Sequence, residues 1–225
     1  MKKALKTIAR GDAFPYAGQR WIALEHDPLG RTLCLAESIV EDRAFDENNR
    51  NNWGLSSSRD YLNGPFLDNL IDKAGSGEAF LETELDLTTD DGLKDYGTCK
   101  ATIFLLTVDQ YRRNRDVIAN ADDWWWLSTA FSTAANGYES LARSVVSDGA
   151  LYGNFAYVGR HGLRPACYLD SELLISIDGE VTTEELAEGA QRLTAEWAAA
   201  GCTLDQVVAG LNAYCKMLRE EAPHE

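Results

Sequence analysis

His161 has the neighbours that best suit chemistry in this chain. It follows Arg160 in a glycine-flanked loop, and it is the best candidate for a general base. Nucleophilic catalysis would also need a hydroxyl or thiol beside that base. No phosphate-binding, zinc-protease or nucleophile-elbow motif occurs in the sequence. Because a lone loop histidine is usually a surface residue, we expect no catalytic residue and no enzymatic activity.

Paired carboxylates are the second feature that could do chemistry. Asp122 and Asp123 precede a strand-like run and could hold a hard cation such as calcium. The alternative is a polar loop that ends where the strand begins, and no calcium-loop motif supports the metal. We therefore predict no metal ligand and no cofactor.

Three consecutive tryptophans, Trp124, Trp125 and Trp126, are the most unusual feature of the sequence. In a strand, Trp125 would face one side of the sheet and the other two would face the opposite side. Either both faces are covered, or one face offers an aromatic surface to a ligand. We predict that at least two of the three belong to the core.

The chain is strongly acidic, with 21 basic and 36 acidic residues among 225 and a net charge of −15. Direct binding of nucleic acid by a basic face is therefore not expected, since neutralising phosphates supplies most of that affinity. The acidity favours solubility, or alternatively a surface that docks on a basic partner.

The five cysteines and the hydropathy of the chain indicate in which cellular compartment it resides. The cysteines are widely spaced, without metal-ligand spacing, so we expect buried reduced thiols. No apolar run approaches the roughly 20 residues that span a bilayer, and no secretory signal is recognisable at the N-terminus. We predict a cytoplasmic protein without membrane association.

Two β-hairpins and a helix are predicted in the first 178 residues. The turn chemistry of Asp27–Gly30 and of Asp148-Gly149 favours hairpins. Ser56 or Ser57 can cap a helix that begins near Ser57. Gly64-Pro65 should divide that helix into two short pieces.

The chain changes character after residue 178. Thr182 to Glu185 and Thr203 to Gln206 both match capping boxes, and each precedes a helical pattern of apolar residues. We predict a domain over residues 1–178 and an antiparallel helical hairpin over residues 179–225. The hairpin would pack on the domain, on a target, or on a second copy as a homodimer.

A series of short motifs resembles an uncharacterised domain family of gut bacteria and their phages. The motifs, in order, are Phe14…Gly18-x-x-Trp21, Asn52-Trp53-x-x-Ser56-x-x-Arg59-x-Tyr61-Leu62-Asn63, Phe104-Leu105-Leu106-Thr107-x-Asp109-x-Tyr111, Trp125-Trp126-Leu127-Ser128, Ser147-Asp148-Gly149 and Gly162-Leu163-Arg164-Pro165-Ala166. That family is similar to the C-type-lectin-like fold of sulfatase-modifying (formylglycine-generating) enzymes. The resemblance covers roughly residues 10–176.

The resemblance implies an α+β fold, with a C-type-lectin-like core of short mixed sheets and two peripheral helices. Trp53, Arg59 and Arg164 would be structural. The copper-binding cysteine pair of the formylglycine-generating enzymes has no counterpart here, so that oxidase activity is not implied. By analogy with lectin-like proteins, the ligand-binding surface comprises late-loop residues: Trp124, Tyr152, Asn154, Tyr157, Arg160 and His161.

Three hypotheses about function remain open from the sequence. The first is a non-catalytic binding module that recognises a protein or a glycan through these late loops. The second is an acidic, phage-encoded intracellular inhibitor, of the anti-defence or anti-CRISPR type, that blocks a nucleic-acid enzyme. The third is an enzyme related to the sulfatase modifiers, for which the sequence offers no catalytic constellation.

Overall fold

The computed structural model describes residues 2–176 together with Thr203, Gln206, Val208 and Gly210. The chain divides into two compact units, Met1–Asp178 and Gly179–Glu225. The described strands are β1 (Lys2–Ala4), β2 (Ala13–Tyr16), β3 (Gln19–His26), β4 (Arg31–Ala36), β5 (Glu41–Asp42), β6 (Phe80–Leu81), β7 (Thr83–Asp86), β8 (Thr98–Ala101), β9 (Ile103–Leu105), β10 (Trp125–Ala130), β11 (Leu141–Val145), β12 (Leu151–Phe155), β13 (Gly162–Leu163), β14 (Pro165–Asp170) and β15 (Leu174–Ser176).

Two larger sheets form the body of the first unit. One has the strand order β2-β3-β4-β14-β6, with β9 also paired to β14. The other has the order β12-β11-β10-β13-β5, in which β10 and β13 are parallel. Two-stranded sheets join β1 to β15 and β7 to β8. Most of these pairings connect segments that are far apart in sequence.

Within residues 2–176, helical structure occurs in short segments. The helix α1 (Ser57–Tyr61) and the helix α2 (Leu67–Ala74) are joined by a π-helical segment, Leu62–Phe66, and the helix α3 spans Val108–Arg113. The Ser56 hydroxyl accepts a hydrogen bond from the Arg59 N–H at 3.2 Å and so caps α1. Gly64 has non-helical dihedrals, φ −115° and ψ −109°, beside Pro65. The predicted cap and the predicted interruption are both confirmed.

Both predicted hairpins are confirmed. The Asp27 carbonyl accepts from the Gly30 N–H at 3.2 Å, and β3 and β4 pair on either side of this turn. The Val146 carbonyl accepts from the Gly149 N–H at 2.8 Å between β11 and β12. Gly149 has φ +86°, a conformation that is strained for a residue with a Cβ.

The core is built from buried residues of both large sheets and of the segments that pack on them. Trp125 and Trp126 are buried, which confirms that at least two of the three tryptophans belong to the core. The Trp125 ring packs against Tyr111 with 5.6 Å between centroids, and the Trp126 ring packs against Phe45 at 5.9 Å. The two neighbouring tryptophans therefore fill opposite faces of β10.

The described cysteines are free thiols, as predicted. Cys34 and Cys167 are fully buried cross-strand neighbours in β4 and β14, and Cys99 is half-buried. Burial raises the pKa of the Cys34 and Cys167 thiols well above their ordinary range. These thiols are therefore protonated and unreactive at neutral pH.

Arg164 is buried at the junction of the two large sheets. Its guanidinium donates to the carbonyls of Ala36 and Glu37, each at 2.9 Å, and to that of Ala119 at 3.2 Å. It also lies over the Trp125 ring, 5.2 Å from the centroid. These contacts confirm the structural role expected of Arg164.

The predicted fold class is wrong. In place of an α+β, C-type-lectin-like core with two peripheral helices, the described residues are mostly β-sheet. Within residues 2–176 the helices are one 18-residue run, interrupted at Gly64, the six-residue α3 and three 3-10 segments of three residues each. The sequence signal for strands was weak because β5, β6 and β13 have only two residues each, too few to show an alternating pattern.

No C-terminal helical hairpin is present in the described part of the chain. The backbone N–H of Gln206 donates to the Thr203 hydroxyl at 3.4 Å, and the side-chain oxygen of Gln206 accepts from the Thr203 backbone N–H at 2.9 Å. The rest of the predicted hairpin, and the homodimer it would form, lie outside the described residues. Among the described helices, none has the length and hydropathy needed to cross a bilayer.

Candidate functional site

Four strands of the five-stranded sheet place the predicted site residues. In the register of β10, β11 and β12, Trp126 lies opposite Ser144, and Ser144 lies opposite Tyr152. Because side chains alternate along a strand, Tyr152 and Asn154 share the face of the sheet that carries Trp126. The Gly162 N–H donates to the Trp124 carbonyl at 2.7 Å and brings the preceding histidine to the same face.

His161 is the centre of this cluster. Its ring stacks on Trp126 with 4.5 Å between centroids, and it meets Trp124 edge-on at 5.1 Å. The Asn154 side-chain oxygen accepts from the Phe155 N–H at 2.9 Å, so the amide nitrogen faces His161. That nitrogen donates to Nε2 of His161 at 3.1 Å. The proton of the neutral imidazole is therefore on Nδ1.

The histidine is held neutral by burial. Only 3% of His161 is exposed, and this desolvation lowers its pKa, although a hydrogen bond with the Arg160 backbone and the carboxylate of Asp123 act in the opposite direction. The Nδ1 atom is buried and makes no well-aligned hydrogen bond with a described residue.

A recess of about 380 Å³ opens beside this histidine. It is lined by Asp42, Asp123, Trp124, Asn154, Arg160 and His161. Strand pairing brings Asp42 here, because Asp42 lies opposite Gly162 in the pair of β5 and β13. Arg160 and Asp42 form no ion pair with any described residue, so their charges are available to a ligand.

Four of the six predicted site residues line the recess, and a fifth supports it. Trp124, Asn154, Arg160 and His161 are in its wall. Tyr152 packs against the Trp124 ring, 5.5 Å between centroids, and 55% of it is exposed.

Tyr157 lies apart from the recess. It stacks on Phe155 with 5.8 Å between centroids, and neither ring contributes to the lining. The structure therefore brings together five of the six predicted residues.

Asp42 was not predicted from the sequence, because no local signal marks it. Asp42 stands in a polar segment, and only its pairing with β13 brings it to His161. Asp123 was singled out, but as a cation ligand. Among the described residues, no group of three or more histidine, cysteine, aspartate or glutamate side chains is placed to hold a metal ion.

A second recess adjoins the first. It has a volume of about 400 Å³ and shares Asp42 and Asp123 with its neighbour; the other lining residues are Glu37, Ser38, Ile39, Asn120, Ala121 and Asp122. The carboxylates of Asp42, Asp122 and Asp123 form no ion pair in the described structure. We call the two recesses together the acidic groove.

The side chains that line the first recess decide what chemistry it offers. Its lining holds no hydroxyl or thiol that His161 could activate, and the acceptor nitrogen of His161 is occupied by Asn154. It does hold an aromatic ring, an amide, a guanidinium and two carboxylates. A further cavity of about 370 Å³ contains none of the predicted residues. In this cavity, a guanidinium nitrogen of Arg112 already lies 3.4 Å from a carboxylate oxygen of Asp90.

Comparison with known proteins identifies a family but no characterised relative. No curated protein and no solved structure matches the chain. Residues 29–171, more than half of the chain and including all the lining residues of both recesses, match the model of a domain of unknown function, DUF6273. The chain therefore belongs to the DUF6273 family.

Proposed function

We propose that the chain is a non-catalytic binding module that recognises a glycan in the recess beside His161. The observation that carries this proposal is the composition of the recess wall. An aromatic ring, Trp124, stands beside groups that donate and groups that accept hydrogen bonds. Specific small-ligand sites combine apolar surface with a few convergent polar groups in this way.

The aromatic part suits the apolar face of a sugar ring. Trp124 is half-buried, so part of its ring remains in contact with solvent. The rings of Tyr152 and His161 each pack against the Trp124 ring and hold it in place. A fixed aromatic surface binds with little loss of side-chain entropy, and it covers C–H groups that water solvates poorly.

The polar part suits hydroxyl groups, which both donate and accept. Asn154 uses one amide N–H for His161 and keeps the second for a ligand. Arg160 supplies further donors, and Asp42 and Asp123 supply acceptors. The volume of about 380 Å³ lies within the usual range of small-ligand sites.

The proposal is tested on an array of immobilised glycans with the fluorescently labelled full chain. We expect the wild type to bind a defined subset. Trp124→Ala and Arg160→Ala should each weaken that binding by about tenfold or more, the equivalent of one good polar or stacking contact. Melting temperatures of the variants show whether the fold is intact.

Tyr157→Ala is the matched control, because Tyr157 is exposed and aromatic but lies outside the recess. It should bind the same glycans as the wild type. Binding that is lost in Tyr157→Ala and kept in Arg160→Ala would place the site elsewhere. Absence of binding to any glycan would refute the glycan proposal.

The acidic groove favours a second candidate, an acidic inhibitor that docks on a basic nucleic-acid enzyme. Its unpaired carboxylates would steer a basic partner at long range, and salt would weaken that steering. Surface plasmon resonance against a purified nuclease of high isoelectric point, at low and physiological salt, tests it. Binding indifferent to salt would count against this candidate.

A further inference from the structure

The strand β12 is an open edge of the five-stranded sheet. It pairs with β11 on one side, and no described strand pairs with its other side. With five residues, it is the longest edge strand in the described part of the chain. Tyr152 and Phe155 of this strand are both exposed. The edge therefore presents both backbone groups and aromatic rings to the solvent.

The pairing with β11 fixes which backbone groups of β12 face outward. The Ala156 N–H donates to the Ser140 carbonyl at 2.8 Å, so this pair is a hydrogen-bonded one. In an antiparallel ladder, hydrogen-bonded and non-hydrogen-bonded pairs alternate. In the register of these strands, the N–H and C=O groups of Leu151, Gly153 and Phe155 therefore point away from β11.

Two of these three residues have open backbone groups. The Phe155 N–H already donates to the side-chain oxygen of Asn154 at 2.9 Å, and the Phe155 carbonyl accepts from the Val158 N–H at 3.0 Å. No described residue bonds to the outward N–H and C=O groups of Leu151 and Gly153. Two donors and two acceptors thus remain open on this edge.

The strand β12 lacks the features that protect other edge strands. Charged residues, proline and shortness normally keep an edge from pairing with another chain. Other described edges have such residues, namely Lys2 and Lys3 in β1, Pro15 in β2, Glu41 and Asp42 in β5, Glu84 and Asp86 in β7, and Lys100 in β8. Residues 149–159 contain no charged residue and no proline, although 25% of the chain is charged.

We propose that this edge pairs with a second copy of the chain, antiparallel along β12. A two-fold axis at Tyr152 places Leu151 of each copy opposite Gly153 of the partner subunit. Each of these pairs exchanges two backbone hydrogen bonds, so the register uses every open group. An axis at Gly153 would instead place Leu151 opposite Phe155, whose outward groups are already bonded.

The side chains and the charge favour the same contact. Opposite residues of a ladder share a face, so the two Tyr152 rings lie side by side, and Leu151 lies over Gly153 of the partner subunit, which has no side chain. Two copies of a chain with a net charge of −15 repel one another. An uncharged segment is where such copies can meet at the least electrostatic cost.

Sedimentation velocity of the full chain tests the inference. We expect the sedimentation coefficient to rise from the monomer value to the dimer value between about 1 and about 300 μM, because a contact of this size gives transient association. In the concentrated sample, the amide protons of Leu151 and Gly153 should exchange more slowly by NMR than in the dilute one.

A pair of charge variants tests the position of the axis. Tyr152→Glu and Tyr152→Lys should each remain monomeric, because the axis places like charges directly opposite each other. An equimolar mixture of the two should dimerise, because the charges are then opposite in sign. Leu29→Glu is the control, because it adds the same charge to an exposed apolar residue in the turn between β3 and β4. It should dimerise as the wild type does, and melting temperatures show whether each variant is folded.

Three results would overturn the inference. The first is a wild type that remains monomeric at the highest concentration, which would leave the edge to a strand of another protein. The second is a dimer that persists in Tyr152→Glu, since it would form through another surface. The third is a mixture of the two charge variants that remains monomeric. None of these measurements uses a glycan, so their failure leaves the proposed function unchanged.

Discussion

At the residue scale, Asp91 shows how one carboxylate organises a loop. Its carboxylate accepts hydrogen bonds from the hydroxyls of Thr89 and Ser132, each at 2.5 Å, and from the Asn136 amide at 2.9 Å. These bonds favour the charged form and lower the pKa of Asp91 from 3.8 to about 2. The carboxylate thus ties the segment around residue 90 to the loop after β10.

The lowered pKa predicts a pH dependence of stability. The folded state holds the proton less tightly than the unfolded chain, so Asp91 contributes fully above pH 3.8. That contribution is lost as the pH falls from about 3.8 towards about 2. We expect Asp91→Ala to melt at a lower temperature than the wild type near neutral pH, and the difference to shrink across this acidic range.

Thermal melts by circular dichroism, repeated across that pH range, measure the difference. Asp109→Ala is the matched control, because Asp109 has only a 3.4 Å contact with exposed Arg112. It should change the melting temperature little at any pH. A wild-type advantage over Asp91→Ala that persists unchanged at the acidic end would show that the Asp91 bonds do not depend on its charge.

At the element scale, β13 decides where His161 lies. Gly162 pairs with Trp125 of β10 on one side and with Asp42 of β5 on the other. A Cβ built on Gly162 would stand 2.4 Å from Cγ2 of Ile39 and 2.8 Å from Cγ1. The absence of a side chain at this position therefore allows Ile39 to pack against the strand.

We expect Gly162→Ala to destabilise the protein by about 1–3 kcal/mol, the usual cost of overpacking. The clash should also displace the neighbouring His161 and weaken any ligand bound in the recess. Urea denaturation gives the free energy of unfolding. In the Gly162→Ala background, Ile39→Ala should cost less than in the wild type, because it removes the atoms that clash.

Gly159→Ala is the control for this variant, since a Cβ there meets nothing within 4 Å. Its free energy of unfolding should stay within about 0.5 kcal/mol of the wild type. If the losses of unfolding free energy in Gly162→Ala and Ile39→Ala simply added in the double variant, a clash with Ile39 would not explain the destabilisation by Gly162→Ala.

At the scale of the whole molecule, Arg164 couples the two large sheets. Its guanidinium contacts Trp125 of β10 and bonds the carbonyl of Ala36 at the end of β4. Burial lowers its pKa to about 10, which still leaves it charged at neutral pH. No described carboxylate pairs with it, so backbone carbonyls stabilise the charge.

Removal of this side chain leaves buried carbonyls without a donor. We expect Arg164→Ala to lower the free energy of unfolding by about 3 kcal/mol, which combines a cavity with unsatisfied polar groups. Arg164→Lys should recover part of this loss, because an ammonium still donates. Denaturant unfolding, followed by tryptophan fluorescence and by circular dichroism, measures both variants.

The control here is Arg112→Ala, which removes an exposed arginine that pairs loosely with Asp109 and Asp90. It should cost at most about 1 kcal/mol. A loss in Arg164→Ala as small as in Arg112→Ala would mean that water replaces the buried guanidinium at little cost, and the proposed coupling of the sheets would be wrong.

The amino-acid sequence by itself determined the local elements of this protein. The turns at Asp27–Gly30 and Asp148-Gly149, the Ser56 cap and the break at Gly64 depend on residues within a few positions of each other. Local dihedral preferences and nearby hydrogen bonds are sufficient to specify them. Residue type was also enough to predict that at least two of the three tryptophans are buried.

Tertiary structure alone decided the fold class and the composition of the groove. The predicted α+β core was wrong because strands of two residues show no pattern, and their pairing is set by partners far away in sequence. Trp124 and His161 could be singled out by residue type, and Asn154 only through the analogy with lectin-like proteins. Asp42 lies beside them only because β5 pairs with β13. Tyr157 stacks on Phe155 and does not line the recess. Sheet registers are non-local, so a surface assembled from several strands exists only once those strands are paired.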